Sequence, residues 1–173
     1  MIQNKHVKLR ALEPEDLDFL FSIENDEIFW EISSTQTPFS KYIFKKYLEN
    51  AHQDIYEAKQ LRLVIVDINT NVSIGLLDMF DFNPQHQRTG IGILILEKYQ
   101  NNGFATQALK LSIEYAFTHL NLHQIYANIP TWNTKSTNLF KKLNFNEIGT
   151  KKDWIMSKGE FKDVSLFQLV NTK

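Results

Sequence analysis

Between Leu61 and Leu96 the chain runs through three apolar segments, "LRLVIVDI", "VSIGLLDMFDF" and "RTGIGILIL". Only short turns, at Asn69-Thr70-Asn71 and at Asn83-Pro84, separate them. Segments of this length, rich in Val, Ile, Leu and Phe and bounded by turn residues, read as β-strands. Connections this short join antiparallel neighbours, because a parallel return needs a crossover of a dozen or more residues. An antiparallel meander is thus the first constraint on the fold, and every other element must be placed around it.

Upstream, His6 to Leu12 alternates Val7, Leu9 and Ala11 with Lys8 and Arg10, a half-buried strand. "EPEDLDFLFSIEND" then places Pro14 near a first helical turn with acidic residues behind it, and Phe19, Leu20 and Ile23 form its apolar face. Ser40 can cap a second helix, "SKYIFKKYLENAHQDI". Downstream, a helix begins near Ala105 with Ala108, Leu109, Ser112, Ile113, Ala116, Phe117 and Leu120 on one face. "HQIYANIP" reads as a strand and "NTKSTNLFKKL" as a short helix. "FNEIGTKKDWIM" and "FKDVSLFQLV" read as two strands turning at Lys158-Gly159. The order β-α-α-β-β-β-α-β-α-β-β predicts a mixed α/β (α+β) fold, with a central, mostly antiparallel sheet of about seven strands flanked by about four helices. At 173 residues, with no repeat or linker-like stretch, a single domain over 1–173 is expected.

Composition narrows the function by exclusion. With a net charge of -1 and no basic run, the chain has no electrostatic footprint for nucleic acid. Without cysteine there is no disulfide, thiolate metal site or cysteine nucleophile, and no metal site is expected. No apolar run approaches membrane-spanning length and the N-terminus lacks the apolar core of a signal peptide, so a cytoplasmic protein is expected.

The stretch "EKYQNNGFATQAL" shows what the fold is for. Gln100-Asn101-Asn102-Gly103-Phe104-Ala105 joins an apolar strand to a helix through residues with little side chain in the way. A helix N-terminus offers unpaired N–H groups and about half a positive charge. A narrow turn in front of it lets an anion reach those groups, and a pyrophosphate suits it. Neither the dinucleotide-binding glycine pattern nor a Gly-Lys-Ser/Thr loop is present. Gly90 and Gly92, inside the preceding strand, fit close approach by a ligand or another backbone, or a β-bulge.

Three stretches, "EKYQNNGFATQALKLSIEYAFTHLNLHQIYANI", "NTKSTNLFKKLNF" and "KGEFKDVSLFQL", together with the element order, resemble the GNAT superfamily of N-acetyltransferases, whose signature is Gln/Arg-x-x-Gly-x-Gly/Ala. Within it the chain is most similar to the branch of spermidine and ribosomal-protein alanine acetyltransferases. The resemblance implies an acetyl-CoA-dependent N-acetyltransferase in which an amine attacks directly, without a covalent enzyme intermediate. It implies that the amides of Gln100, Asn101, Asn102, Gly103, Phe104, Ala105 and Thr106 hold the pyrophosphate. It also implies that Leu94, Ile95 and Leu96 flank the pantetheine arm, with the amides near Leu94 and Leu96 facing the thioester oxygen as a main-chain oxyanion hole. Asn133 would hydrogen-bond the same arm or simply cap its helix; Ser136 and Phe140 follow on that helix.

Phe140 stands where spermidine acetyltransferases carry the tyrosine that protonates the departing thiolate, so that role does not transfer. Ser136, one turn earlier, is the substitute candidate, with Tyr126 and Tyr99 behind it. A thiol of pKa about 8.5 also leaves with little help. A polyamine nitrogen of pKa about 10.4 costs roughly 4 to 5 kcal/mol to deprotonate at pH 7, and a protein N-terminus only about 1. Candidate bases are the strand-end carboxylates Asp78, Asp81 and Glu97. Glu24, Asp26, Glu27 and Glu31 form an acidic patch suited to a cationic acceptor, and Trp30, Phe29, Trp132, His86 and Arg88 are candidates to wall the acceptor pocket. The acceptor is expected to be a small polyamine or amine, or a protein N-terminus, with near-neutral charge leaning to the small molecule. The resemblance also allows a homodimer. Two other readings compete: a coenzyme A-binding module without transfer activity, suggested by Phe140, and a scaffold in which the Gly103 turn only connects.

Overall fold

The computed structural model describes residues 2–33 and 35–172. Its eight strands are β1 (Ile2–Gln3), β2 (Val7–Ala11), β3 (Leu61–Asp67), β4 (Val72–Asn83), β5 (Arg88–Ile95), β6 (Gln124–Pro130), β7 (Asn146–Ser157) and β8 (Glu160–Val170). They form one sheet in the order β1-β2-β3-β4-β5-β6-β8-β7. The meander expected from Leu61 to Leu96 is present: β3–β4 and β4–β5 are antiparallel, and the only parallel pair among the described residues is β5–β6.

Six α-helices accompany the sheet among the described residues: α1 (Leu17–Glu24), α2 (Glu27–Ser33), α3 (Lys41–Glu49), α4 (Ile55–Ala58), α5 (Phe104–Thr118) and α6 (Thr134–Lys142). The expected sheet of about seven strands flanked by about four helices is present, and the structure adds to these counts in three places. A two-residue β1 pairs with β2 ahead of the first expected strand. The acidic stretch after α1, given no element from sequence, winds into α2. The long second helix stops at Glu49, because Asn50 closes α3 and Asp54 starts α4 anew by accepting from the Tyr56 and Glu57 amides. Ser40 caps α3 as expected, accepting from Ile43 N at 3.4 Å.

Alternation splits the apolar residues of β3 between two cores. Leu63 and Ile65 pack with Leu77, Met79, Ile91 and the buried face of α5, where Ala108 and Ala116 leave room for close helix–sheet contact. Val64 and Val66 pack with Leu20 and Ile23 of α1, Phe29 of α2 and Phe44 of α3. Buried on both faces, β3 reads as a continuous apolar run.

β5 and β6 are paired only from Arg88↔Gln124 to Gly90↔Tyr126. Beyond that, β5 follows β4 as far as Ile95, while β6 follows β8 along its whole length. The sheet therefore splits along this line, and the edge of β5 from Ile91 onward faces a gap.

One ion pair ties the entry of α1 to the sheet. Asp16 accepts from both terminal nitrogens of Arg10, at 2.7 and 2.8 Å, and from Glu13 N at 2.8 Å. Burial pushes the Asp16 carboxyl up, but Arg10 and the Glu13 amide outweigh it and hold the group below the usual carboxylate range. A depressed folded value contributes stability above the unfolded pKa and loses it as pH falls through the folded one. Asp16→Asn is therefore expected to cost about 2 kcal/mol at neutral pH and to make the melting temperature less pH-dependent below about pH 4. Thermal melts of both proteins across that range check it.

Candidate active site

At the start of α5 the backbone does what the turn residues permit. Asn101 (φ 63°) and Gly103 (φ 80°) take left-handed conformations, and no side chain caps the helix. The polar side chains fold back rather than across the turn. Asn102 donates to Tyr99 O and Gln100 O, and Gln100 Nε2 donates to Ile95 O at 3.0 Å. The first helical bond runs from Gln107 N to Gly103 O at 3.1 Å, so the N–H groups of Phe104, Ala105 and Thr106 have no acceptor within the helix. A Cβ on Gly103 would meet nothing within 4 Å. The result is an open, positively polarised nest.

A cleft of about 640 Å³ leads away from this nest. One wall is α6, which contributes Asn133, Lys135, Ser136 and Leu139. Asn133 Oδ1 caps the helix by accepting from Ser136 N at 3.1 Å, which leaves the Asn133 side-chain nitrogen Nδ2 for the cleft. The Ser136 hydroxyl has no partner among the described residues.

The floor is β5. Leu96 N donates to Ile74 O at 2.9 Å, toward β4. Amides alternate between the two edges of an extended strand. Leu94 therefore also turns toward β4, its partner being Leu76, while the N–H groups of Ile93 and Ile95 face the gap. The Leu96 amide, expected near the thioester oxygen, is thus already engaged, and by this alternation the amides one residue earlier lie at the open edge.

The far end of the cleft is charged. Arg62 on β3 is the ladder partner of Asp78 on β4. Its Nε and Nη2 donate to the two oxygens of Asp78 at 2.6 and 2.9 Å, and its Nη1 donates to Glu24 Oε1 at 2.5 Å. Gln60 Nε2 adds a 3.4 Å contact to Asp78, and the Tyr47 ring lies 5.6 Å from the guanidinium carbon. The three charged side chains are 16 to 24% exposed. Burial opposes the charge on Arg62, but Asp78 and then Glu24 outweigh it and raise its pKa above the ordinary value. Burial also raises the Tyr47 phenol. Ile28, Phe29 and Ser33 of α2 line the cleft beside this group. Glu31 ties α2 to the β7–β8 hairpin, accepting from the Ser157 hydroxyl and from Lys162 Nζ at 3.1 Å.

Of the residues expected at the site, the cleft brings together Asp78, Leu94, Ile95, Gln100, Asn101, Gly103, Phe104, Ala105, Thr106, Asn133 and Ser136. Asn102 and Leu96 sit beside it. Others lie elsewhere. Glu97 is exposed on a 3-10 turn. Trp30 donates its indole N–H to Glu24 O at 3.0 Å and so pins the end of α1. Asp81 accepts from the Tyr126 hydroxyl, whose pKa is pushed up to about 12 by burial and by Asp81. His86 is exposed on the β4–β5 turn. Phe140 is buried and packs edge-on against Phe145 at 4.9 Å. Trp132 lies under Lys162 Nζ at 4.6 Å. Among the described residues no group of three or more His, Asp or Glu is arranged to hold a metal ion, and no helix is long and apolar enough to cross a membrane.

Arg62 was not among the expected site residues. Its signal is a lone cation inside an apolar strand, which the register of the meander sets opposite Asp78.

Comparison with known proteins points to one family. The sequence pattern of the acetyltransferase (GNAT) domain matches residues 6–146. Spermidine N(1)-acetyltransferase of Vibrio cholerae is 29% identical over 173 residues, covering 98% of this chain and 96% of that protein. The crystal structure of spermidine N-acetyltransferase from Vibrio cholerae in complex with CoA and spermine superposes with a TM-score of 0.86 at 29% identity, over 98% of both chains. A dodecameric structure of the Vibrio cholerae enzyme superposes with a TM-score of 0.81 at 29% identity, over 96% of this chain and 95% of that one.

Proposed function

The chain belongs to the acetyltransferase (GNAT) domain family and is an acetyl-CoA-dependent amine N-acetyltransferase; from that premise we propose that its acceptor is a primary amine of a small polyamine rather than a protein N-terminus. The observation that carries this reading is the pair of carboxylates, Glu24 and Asp78, at the end of the cleft away from the α5 nest. A protein N-terminus brings one ammonium, and that one must be neutral to react. A polyamine brings further ammonium groups for which partly buried carboxylates are the natural counter-charge.

In this reading the amides of Gly103 to Thr106 hold the pyrophosphate of acetyl-CoA, and Asn133 hydrogen-bonds its pantetheine arm. The Ile93 and Ile95 amides line the edge along which that arm lies. As the amine nitrogen bonds to the acetyl carbon, the carbon–sulfur bond breaks; the amine gives up a proton and the sulfur gains one. Amides facing the carbonyl oxygen stabilise the charge that grows there. Ser136 is assigned the hydrogen bond to the departing sulfur, because Phe140 has no proton and is turned into the core. Asp78 is assigned to acceptor binding rather than proton abstraction, since both its oxygens are engaged by Arg62. The homo-oligomer this reading includes, as in the dodecameric relative, would use the exposed Trp154, Met156 and Phe161 of the β7–β8 hairpin.

The test is a thiol-release assay with acetyl-CoA against diaminobutane, spermidine, spermine, a monoamine and a peptide with a free N-terminus. Turnover is expected on the polyamines and at least about tenfold less on the monoamine and the peptide, the ratio for one unmatched charge. Preference for the peptide overturns the proposed acceptor.

A further inference from the structure

Resting on the polyamine reading, we infer that Arg62 sets the acceptor preference: it cancels one of the two carboxylates at the acceptor end and leaves a single net negative charge, matched to one ammonium besides the amine that reacts.

The count follows from what faces the group. Glu24 and Asp78 are the acidic side chains lining the cleft, and Arg62 is bonded to both. Gln60 and the Tyr47 ring, the other groups against the triad, are uncharged. Lys135, the remaining cation of the lining, is on α6, the wall beside the α5 nest. The site therefore offers two carboxylates but the attraction of one. A diamine with its reacting nitrogen neutral carries one ammonium and balances it. Spermidine and spermine carry two and three, and the excess must stay in solvent or near Arg62.

Arg62 is in this sense a positioning and specificity residue. It fixes the carboxylates across β3, β4 and α1 and acts as a built-in competitor for them. Its removal should do something that simple loosening does not, namely change the ranking of acceptors by charge. For Arg62→Gln the ratio of kcat/KM for spermine to that for diaminobutane is expected to rise by about tenfold, the effect of one uncancelled charge in a partly buried site. kcat should fall for every acceptor, because the carboxylates are no longer held. Arg62→Lys keeps the charge and should keep the wild-type ratio.

Should Arg62→Gln fail to fold, the double variant Arg62→Gln/Asp78→Asn restores one net negative charge with fewer buried ions, and is expected to return the ratio to the wild-type value. Coenzyme A titration on each variant reports whether the rest of the site is intact. An unchanged ratio in Arg62→Gln, or a ratio in the double variant that stays away from wild type, overturns the inference. A wild-type enzyme that acetylates no polyamine fails the acceptor reading instead, and the two failures are told apart by the wild-type panel alone.

Discussion

Valine at position 103 is expected to raise the Kd for coenzyme A about a hundredfold while leaving a folded protein. Gly103 stands at φ 80° as the cap of α5, where a β-branched residue is strongly disfavoured. The strain costs on the order of 1 to 2 kcal/mol, a modest share of the stability of a domain this size. Apart from its chain neighbours and the backbone of its own helix, no described atom lies within 4 Å of a Cβ at this position, so no clash adds to it. The damage falls on the ligand. Either the backbone leaves the left-handed region and the amides of Phe104, Ala105 and Thr106 no longer converge, or the side chain occupies the space from which a diphosphate approaches them. Losing two charge-assisted hydrogen bonds at about 1.5 kcal/mol each amounts to roughly 3 kcal/mol, or about a hundredfold. Titration calorimetry with coenzyme A, beside a thermal melt, separates the two effects. Unaltered affinity in a folded Gly103→Val protein would mean that the diphosphate binds elsewhere, and the pyrophosphate role given to this turn would fall with it.

This turn was legible in the sequence because all its determinants are local. A permissive residue, a narrow helix start and an apolar strand before it can each be recognised within a dozen positions. The meander was legible for a similar reason, since strand alternation and turn chemistry are short-range. What escaped was non-local. α2 has only seven residues, too few to be helical on propensity alone, and Phe29 packing against α1 and β3 is what supports it. Its acidic residues accordingly read only as a patch suited to a cationic acceptor. Which amides of β5 lie at the open edge escaped because a strand pattern tells which face a side chain takes but not which edge an amide takes. That second parity is set only by the register, here by Leu96 N reaching Ile74 O. Arg62 escaped because its meaning lies in a ladder partner sixteen positions away, Asp78.

The two glycines of β5 show the same division. Both suited ligand approach or a bulge from sequence, and the structure separates them. A Cβ at Gly90 would lie 2.3 to 2.7 Å from the Phe80 ring, so there the space belongs to the protein, next to the β4 irregularity between Phe80 and Asn83. A Cβ at Gly92 would have only Phe80 Cε1, at 3.9 Å, for company, and Gly92 lines the cleft opposite its ladder partner Asp78. Opposite outcomes are expected. Gly90→Ala forces the Phe80 ring aside and should cost about 2 kcal/mol, the usual penalty for overpacking. Gly92→Leu meets no such obstacle, so its melting temperature should stay within a few degrees of wild type. Its side chain instead extends over the floor beside Asp78, where the proposed acceptor must lie for its amine to reach the β5 edge. Displacement of a reacting group by about 1 Å can cost a hundredfold, so kcat/KM for every polyamine should fall by at least about that factor. Coenzyme A affinity should not change, because the nest at α5 lies at the other end of the cleft. Steady-state kinetics and calorimetry on Gly92→Leu test both halves together. Full activity with an intact fold would show that the acceptor does not cross this floor, and it would remove Glu24 and Asp78 from its path.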